Sequence, residues 1–300
     1  MNYLTQNWRL MKNAVTALST SHNVVRIAKF VISLWRYLLA LALCFCSNMA
    51  SYAATTEVEL DNLTWTEVQQ RLVSGSTTIL IPIGGTEQSG PYVALGKHNV
   101  RAYLLAQKIA QNLGNALVAP VIAYVPEGSI HPPVGHMRFP GTISIPDSAF
   151  ESMLDATARS FKQHGFKNVI FLGDHGGYQK NMQKVALRLD HEWVNDSTCR
   201  VSALPEYYQA VSVSYVNTLR SRGFSMAEIG MHAGLADTAL TLALDRSLVR
   251  TDALAHAAKP TEAEGVYGDP RHATEELGQL AVKQIIDASV AAIKRVTAAR

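Results

Sequence analysis

From about Thr55 to the carboxyl end, short apolar runs rich in Ile and Val alternate with longer stretches of helical period. No other feature of the sequence restricts the fold as tightly. "TTILIPIGG" reads as a strand running into a glycine turn, and "VRAYLLAQKIAQNLG" as a helix stopped at Gly114. "ALVAPVIAYV" is a second strand. "DSAFESMLDATARSFKQHGF" is an amphipathic helix opened by Asp147 or Ser148 as N-cap. "KNVIFLG", "YQKNMQKVALRLDHEWV", "RVSALP" and "YYQAVSVSYVNTLRSRG" continue the alternation, and a last long helix runs through "TEELGQLAVKQIIDASVAAIKRVTAA". Strands that are apolar throughout must be covered on both faces, which predicts an α/β fold: a layered parallel sheet with helices on both sides.

In such sheets, chemistry collects in the loops beyond the carboxyl ends of the strands. Four segments qualify: Glu87 to His98, the loop "EGSIHPPVGHMRFPGT", the turn "GDHGGY" and the helix start "GMHAGLADTALTLAL". Taken alone, "GDHGGY" is equally a helix-start turn whose His175 caps or packs. Adjacent strand residues point to opposite faces, so Asp174 and His175 are not a pair by sequence alone. His232 and Asp237, five apart, lack same-face helical spacing. His131 and His136 flank a proline-rich loop and read as loop histidines, and His164, His191 and His256 as surface residues. Convergence shifts the balance, since three strand ends each offer a carboxylate or an imidazole. Oxygen and nitrogen donors without thiolates suit zinc, manganese or iron in a hydrolytic site.

Composition removes other classes. The net charge is +3, but the first 53 residues hold five basic residues and no acidic ones, so the remainder carries 22 basic against 24 acidic, a net of −2. With no basic stripe there is no case for a nucleic-acid partner. Residues 1–53, with the apolar run "YLLALALCFC" and the small-residue stretch "SNMASYAA", read as a signal peptide or leader cleaved after Ala53. An uncleaved anchor is the alternative. A periplasmic or secreted location follows, with no membrane contact after cleavage. Cys44 and Cys46 leave with the leader, and Cys199 alone offers neither a disulfide nor a thiolate metal pair.

Together these segments resemble the creatininase family of metal-dependent amidohydrolases. The resemblance is carried in order by "GGTEQSGPYVALGKH", "FPGTISI", "GDHGGY", "HAGLADTA" and "GDPRHAT", across about Ile81 to Gly278. It implies a creatininase-like α/β domain over 54–300, commonly assembled as a homohexamer, and a divalent metal centre, often binuclear, that hydrolyses a carbon–nitrogen bond in a small cyclic or linear amide. Residue by residue, it implies Glu87 and His175 as metal ligands and His232 as the group assisting proton transfer to the leaving nitrogen. Asp237 stands for a family glutamate.

The sequence departs from the family pattern at several positions. Ser89 stands where the family has a metal-binding histidine, and His98 where it has a bridging aspartate. The expectation is one tight metal, zinc before manganese or iron, held by Glu87, His98 and His175 with Asp237 as fourth ligand. Asp174 then serves as ligand or general base beside His232, and Ser89, Tyr92, His136 and Tyr178 line the pocket for a small-molecule substrate. Two alternatives stand beside the amide hydrolase: a non-catalytic small-molecule-binding member of the family, and a hydrolase of lactones or cyclic ketones.

Overall fold

The computed structural model describes residues 57–298 except Ser197. The leader predicted over 1–53 lies outside the described residues. Strand β1 (Thr78–Ile83) is buried at all six positions and pairs parallel with β2 (Ala116–Val118) on one side and β3 (Asn168–Gly173) on the other. β4 (Arg200–Ala203) pairs parallel with β3, giving the order β2-β1-β3-β4. The parallel register demands crossovers. These are helices α1 (Lys97–Leu113), α2 (Asp147–Gln163) and α3 (Gln179–Glu192).

Strand alternation splits the core into two layers. Leu80, Val118, Ile170 and Leu172 face Leu105 and Ile109 of α1, together with helix α4 (Leu235–Leu244) and the long α5 (Glu275–Ala298). Ile79, Ile81, Val169 and Phe171 face Phe150 and Leu154 of α2 and Met182 and Val185 of α3. The sheet is therefore covered on both faces, as the apolar strands require.

Three local expectations are revised. The second strand ends at Val118, because Pro120 has no N–H for a ladder, and Ile122 returns only as an isolated bridge to Ile83. Helix α2 has Pro146 as N-cap with no side-chain cap bond, so Asp147 is the first helical residue. "YYQAVSVSYVNTLRSRG" contains a π-helical segment, Ala210–Tyr215, of a kind that frequently marks functional sites. Gly114 does cap α1 in the left-handed region, at φ 76°.

Candidate metal centre and catalytic cleft

Glu87 sits at the centre of everything that converges beyond the strand ends. Its loop leaves β1 through Gly84 and Gly85. Gly85 takes φ 148°, and a Cβ there would lie 2.4 Å from Glu127 Oε1, so only glycine admits Glu127 to this side of the sheet. Glu87 is fully buried, and its two oxygens have different neighbours. Oε2 lies 3.1 Å from His136 Nε2 and 3.5 Å from His175 Nε2. His175 Nδ1 in turn lies 3.5 Å from Glu127 Oε2. Glu87, Glu127, His136 and His175 each offer one donor atom within 4.8 Å of the others.

This grouping differs from the sequence expectation. Glu87 and His175 are in it, and His136, expected as a pocket residue, joins them. Glu127 was not anticipated, and His98 and Asp237 stand outside. His98 Nδ1 is 2.6 Å from Asp174 Oδ2 and its Nε2 is 2.8 Å from Glu87 Oε1. A ring that donates from both nitrogens has no lone pair left for a metal. Burial and Lys97 push the His98 pKa down, but the bonds to Asp174 and Glu87 outweigh them and raise it. Asp237 is held by Lys97 Nζ at 3.3 Å, Arg101 Nη1 at 2.8 Å and the Ala233 N–H at 2.9 Å. Asp174 is likewise taken, by His98, by Arg101 Nε at 3.1 Å and by the Tyr207 hydroxyl at 3.1 Å. It orients other side chains rather than meeting the reacting atoms.

The four-residue group offers the oxygen and nitrogen donors a divalent cation takes. Glu87 Oε2 and both Glu127 oxygens are buried without a hydrogen-bond partner, which is costly unless a cation completes them. Burial, and then Glu87, push the Glu127 carboxyl up to about 9, so at pH 7 it is protonated and becomes an anionic donor only where a cation displaces that proton. Burial pushes His175 down to about 4 and lowers His136, so both imidazoles are neutral at pH 7. Gln88 Nε2 at 3.1 Å donates to His136 Nδ1 and the Gly177 N–H at 3.3 Å to His175 Nδ1, so a cation bound at the Nε2 atoms facing Glu87 would displace the ring protons from them. Burial raises Glu87, but Lys97, His98 and His175 outweigh it and hold the carboxylate ionised. Two oxygen and two nitrogen donors suit zinc or manganese.

His232 precedes α4 on a bridge to Tyr267, next to Ala233, whose φ of 52° is unusual for a residue with a side chain. Burial lowers its pKa to about 3. Its Nε2 lies 2.9 Å from the Gln88 carbonyl, which can only accept, so that nitrogen carries the proton although the Gln88 amide nitrogen is also 3.1 Å away. The Nδ1 lone pair then faces the site, 3.5 Å from Glu87 Oε1. A cleft of about 380 Å³ opens over His98, His175, His232 and Asp237. Its outer wall is largely apolar, built by Tyr208, Val211, Val216, Met226, Ile229 and Met231.

The other expected pocket residues lie elsewhere. Tyr178 is fully buried, with its hydroxyl 2.8 Å and 2.6 Å from the Ile83 and Gly84 carbonyls, while accepting from His175 N–H at 3.1 Å. It braces the two loops instead of facing substrate. Tyr178→Phe is therefore expected to cost about 1–3 kcal/mol of stability by orphaning those groups, with the substrate KM unchanged. Denaturant unfolding and steady-state kinetics check this. Tyr92 packs against Val93, Leu242, Val249 and Leu254. Ser89 is buried and bridges Val93.

The family description "Creatininase: Creatinine amidohydrolase" matches residues 61–293 of this chain. Creatinine amidohydrolase of Pseudomonas putida is 25% identical over 257 residues, covering 79% of this chain and 96% of that protein. The mycofactocin precursor peptide peptidase of Mycolicibacterium smegmatis is 26% identical over 251 residues, covering 77% and 90%. Among solved structures, a creatininase variant of the "Zn-Zn type" superposes with a TM-score of 0.63 at 23% identity, covering 80% of this chain and 98% of that one.

Proposed function

The chain belongs to the creatininase family of amidohydrolases, and on that footing we propose that it hydrolyses a carbon–nitrogen bond of a small cyclic or linear amide with one divalent cation, zinc or manganese. The observation that carries this reading is the convergence of unpartnered Glu87 and Glu127 oxygens on the neutral imidazoles of His136 and His175. Glu87, Glu127, His136 and His175 would hold the cation, which would supply an acidified water and polarise the scissile carbonyl.

The chain's own residues do the rest. His232, with its Nδ1 lone pair facing Glu87, takes the proton released by the attacking water and returns it to the leaving nitrogen. The hydrogen bond from its Nε2 to the Gln88 carbonyl fixes the ring for both transfers. Asp174 positions His98, which positions Glu87. The cleft, which meets the cation group at His175, joins an apolar wall to charged residues and favours an amide bearing an apolar substituent. The names of the two curated relatives, a creatinine amidohydrolase and a peptide peptidase, bracket ring amides and peptide bonds.

The test is a panel of cyclic amides, linear amides, short peptides and lactones, assayed with chelator-stripped protein before and after restoring zinc or manganese. Metal-restored hydrolysis confined to amides or peptides is expected. A metal-loaded protein inert towards every amide would contradict the proposal.

A further inference from the structure

Lys97 is the residue in this site that local rules oppose most. Its side chain is 0% exposed, although lysine is almost never fully buried. It is also the first residue of α1, where the helix dipole disfavours a positive charge. Its Nζ lies 3.3 Å from Glu87 Oε1 and 3.3 Å from Asp237 Oδ2, between two carboxylates as a metal ion would lie. His232 Nδ1 is 3.5 Å from the same Glu87 oxygen. One helical turn further, Arg101 holds the other Asp237 oxygen at 2.8 Å. Two like charges at i and i+4 repel, and here Asp237 sits between them and offsets that. Glu87 thus presents Oε2 to the proposed cation and Oε1 to a cation already covalently part of the chain.

Resting on the metal reading above, we propose that the Lys97 ammonium occupies a second cation position bounded by Glu87 Oε1, Asp237 Oδ2 and His232 Nδ1, and so limits the centre to one exchangeable metal ion per chain. A fixed cation that neither dissociates nor needs loading takes the place a second ion would need there. Removing the lysine side chain opens a space facing Glu87 Oε1 and Asp237 Oδ2, each left with one hydrogen bond, from His98 Nε2 at 2.8 Å and from the Ala233 N–H at 2.9 Å. From their 3.3 Å distances to the ammonium, the two oxygens need to draw inward by only about 1 Å to reach zinc-ligand distances. Arg101 is a positioning residue, because it holds Asp237 where Lys97 can pair with it.

The experiment is zinc content per folded chain, by elemental mass spectrometry after saturation and dialysis, for the unaltered protein, Lys97→Ala and Lys97→Ala/Asp237→Asn. The expected counts are one, two and one. Two ions in the unaltered protein, one in Lys97→Ala, or two in the double variant would each overturn the proposal. If Lys97→Ala does not fold by circular dichroism, Lys97→Ser carries the same expectation, and a count of two in the unaltered protein is decisive against it without either variant. No zinc in the unaltered protein would instead contradict the metal reading itself, so the two failures are distinguishable.

Discussion

Glu87→Gln is expected to lose the bound cation and to lower kcat/KM at least about 10³-fold, well beyond the roughly 10–100-fold typical of removing an outer partner of a metal ligand. Glu87 does two things that an amide cannot. Its Oε2 supplies an anionic donor to the candidate centre beside His136 and His175. Its Oε1 is the counter-ion for Lys97 and His98, both buried. With glutamine, Lys97 keeps only Asp237, and His98 loses one of the two carboxylates that raise its pKa. Metal content and steady-state kinetics on the most reactive amide measure both effects. Retention of one ion per chain with less than a tenfold loss would remove Glu87 from the centre.

Arg101→Met is expected to destabilise the fold by about 3–5 kcal/mol, since it breaks a buried charge cluster by removing one partner. For a domain of this size, that is a fall in Tm of about 6–20 °C. Asp174 and Asp237 both lose a guanidinium contact, at 3.1 Å and 2.8 Å, and their side chains are only 1% and 17% exposed. The loss should depend on pH in a definite direction. Burial raises the Asp237 carboxyl, but Lys97 and then Arg101 outweigh it and hold the group well below its ordinary value. A carboxyl with a depressed folded-state pKa contributes stability that is present above the unfolded-state value, about 3.9, and lost as pH falls through the folded-state one. The gap between the two proteins should therefore be constant from about pH 5 upward and close under stronger acid. Denaturant titrations across that range test it. A gap that widens in acid would mean that Asp237 is not the carboxylate Arg101 stabilises.

The sheet was legible because its strands are apolar on both faces, and nothing but a parallel sheet covered by helices buries "TILIPI" and "NVIFLG" at every position. Glu87, His175 and His232 were readable as candidates because each follows a strand end or opens a helix within a recognisable motif. Glu127 was not, because "PEGS" carries no spacing signal. What brings Glu127 to Glu87 is the left-handed path at Gly85, a tertiary fact. In the sequence His98 reads as a ligand because an imidazole is metal-capable. Only the structure reveals that both of its nitrogens are taken by carboxylates. The signal that could have warned of this is the run Lys97, His98 and Arg101, which the helical period places on one side of α1. Three cationic or basic groups on one buried helix face require several carboxylates opposite, and Glu87, Asp174 and Asp237 supply them. Tyr178 illustrates the converse: a tyrosine after a glycine turn suggests a pocket hydroxyl, yet the two strand-end carbonyls of Ile83 and Gly84 claim it.

The account rests on where the cation binds, and the most direct measurement is anomalous diffraction at the zinc edge from crystals grown with zinc. The predicted result is a single peak per chain, about 2.0–2.2 Å from Glu87 Oε2, a Glu127 oxygen and a ring nitrogen each of His136 and His175, with Lys97 still between Glu87 and Asp237. A peak coordinated by His98 or Asp237 instead, with Lys97 displaced, would contradict it.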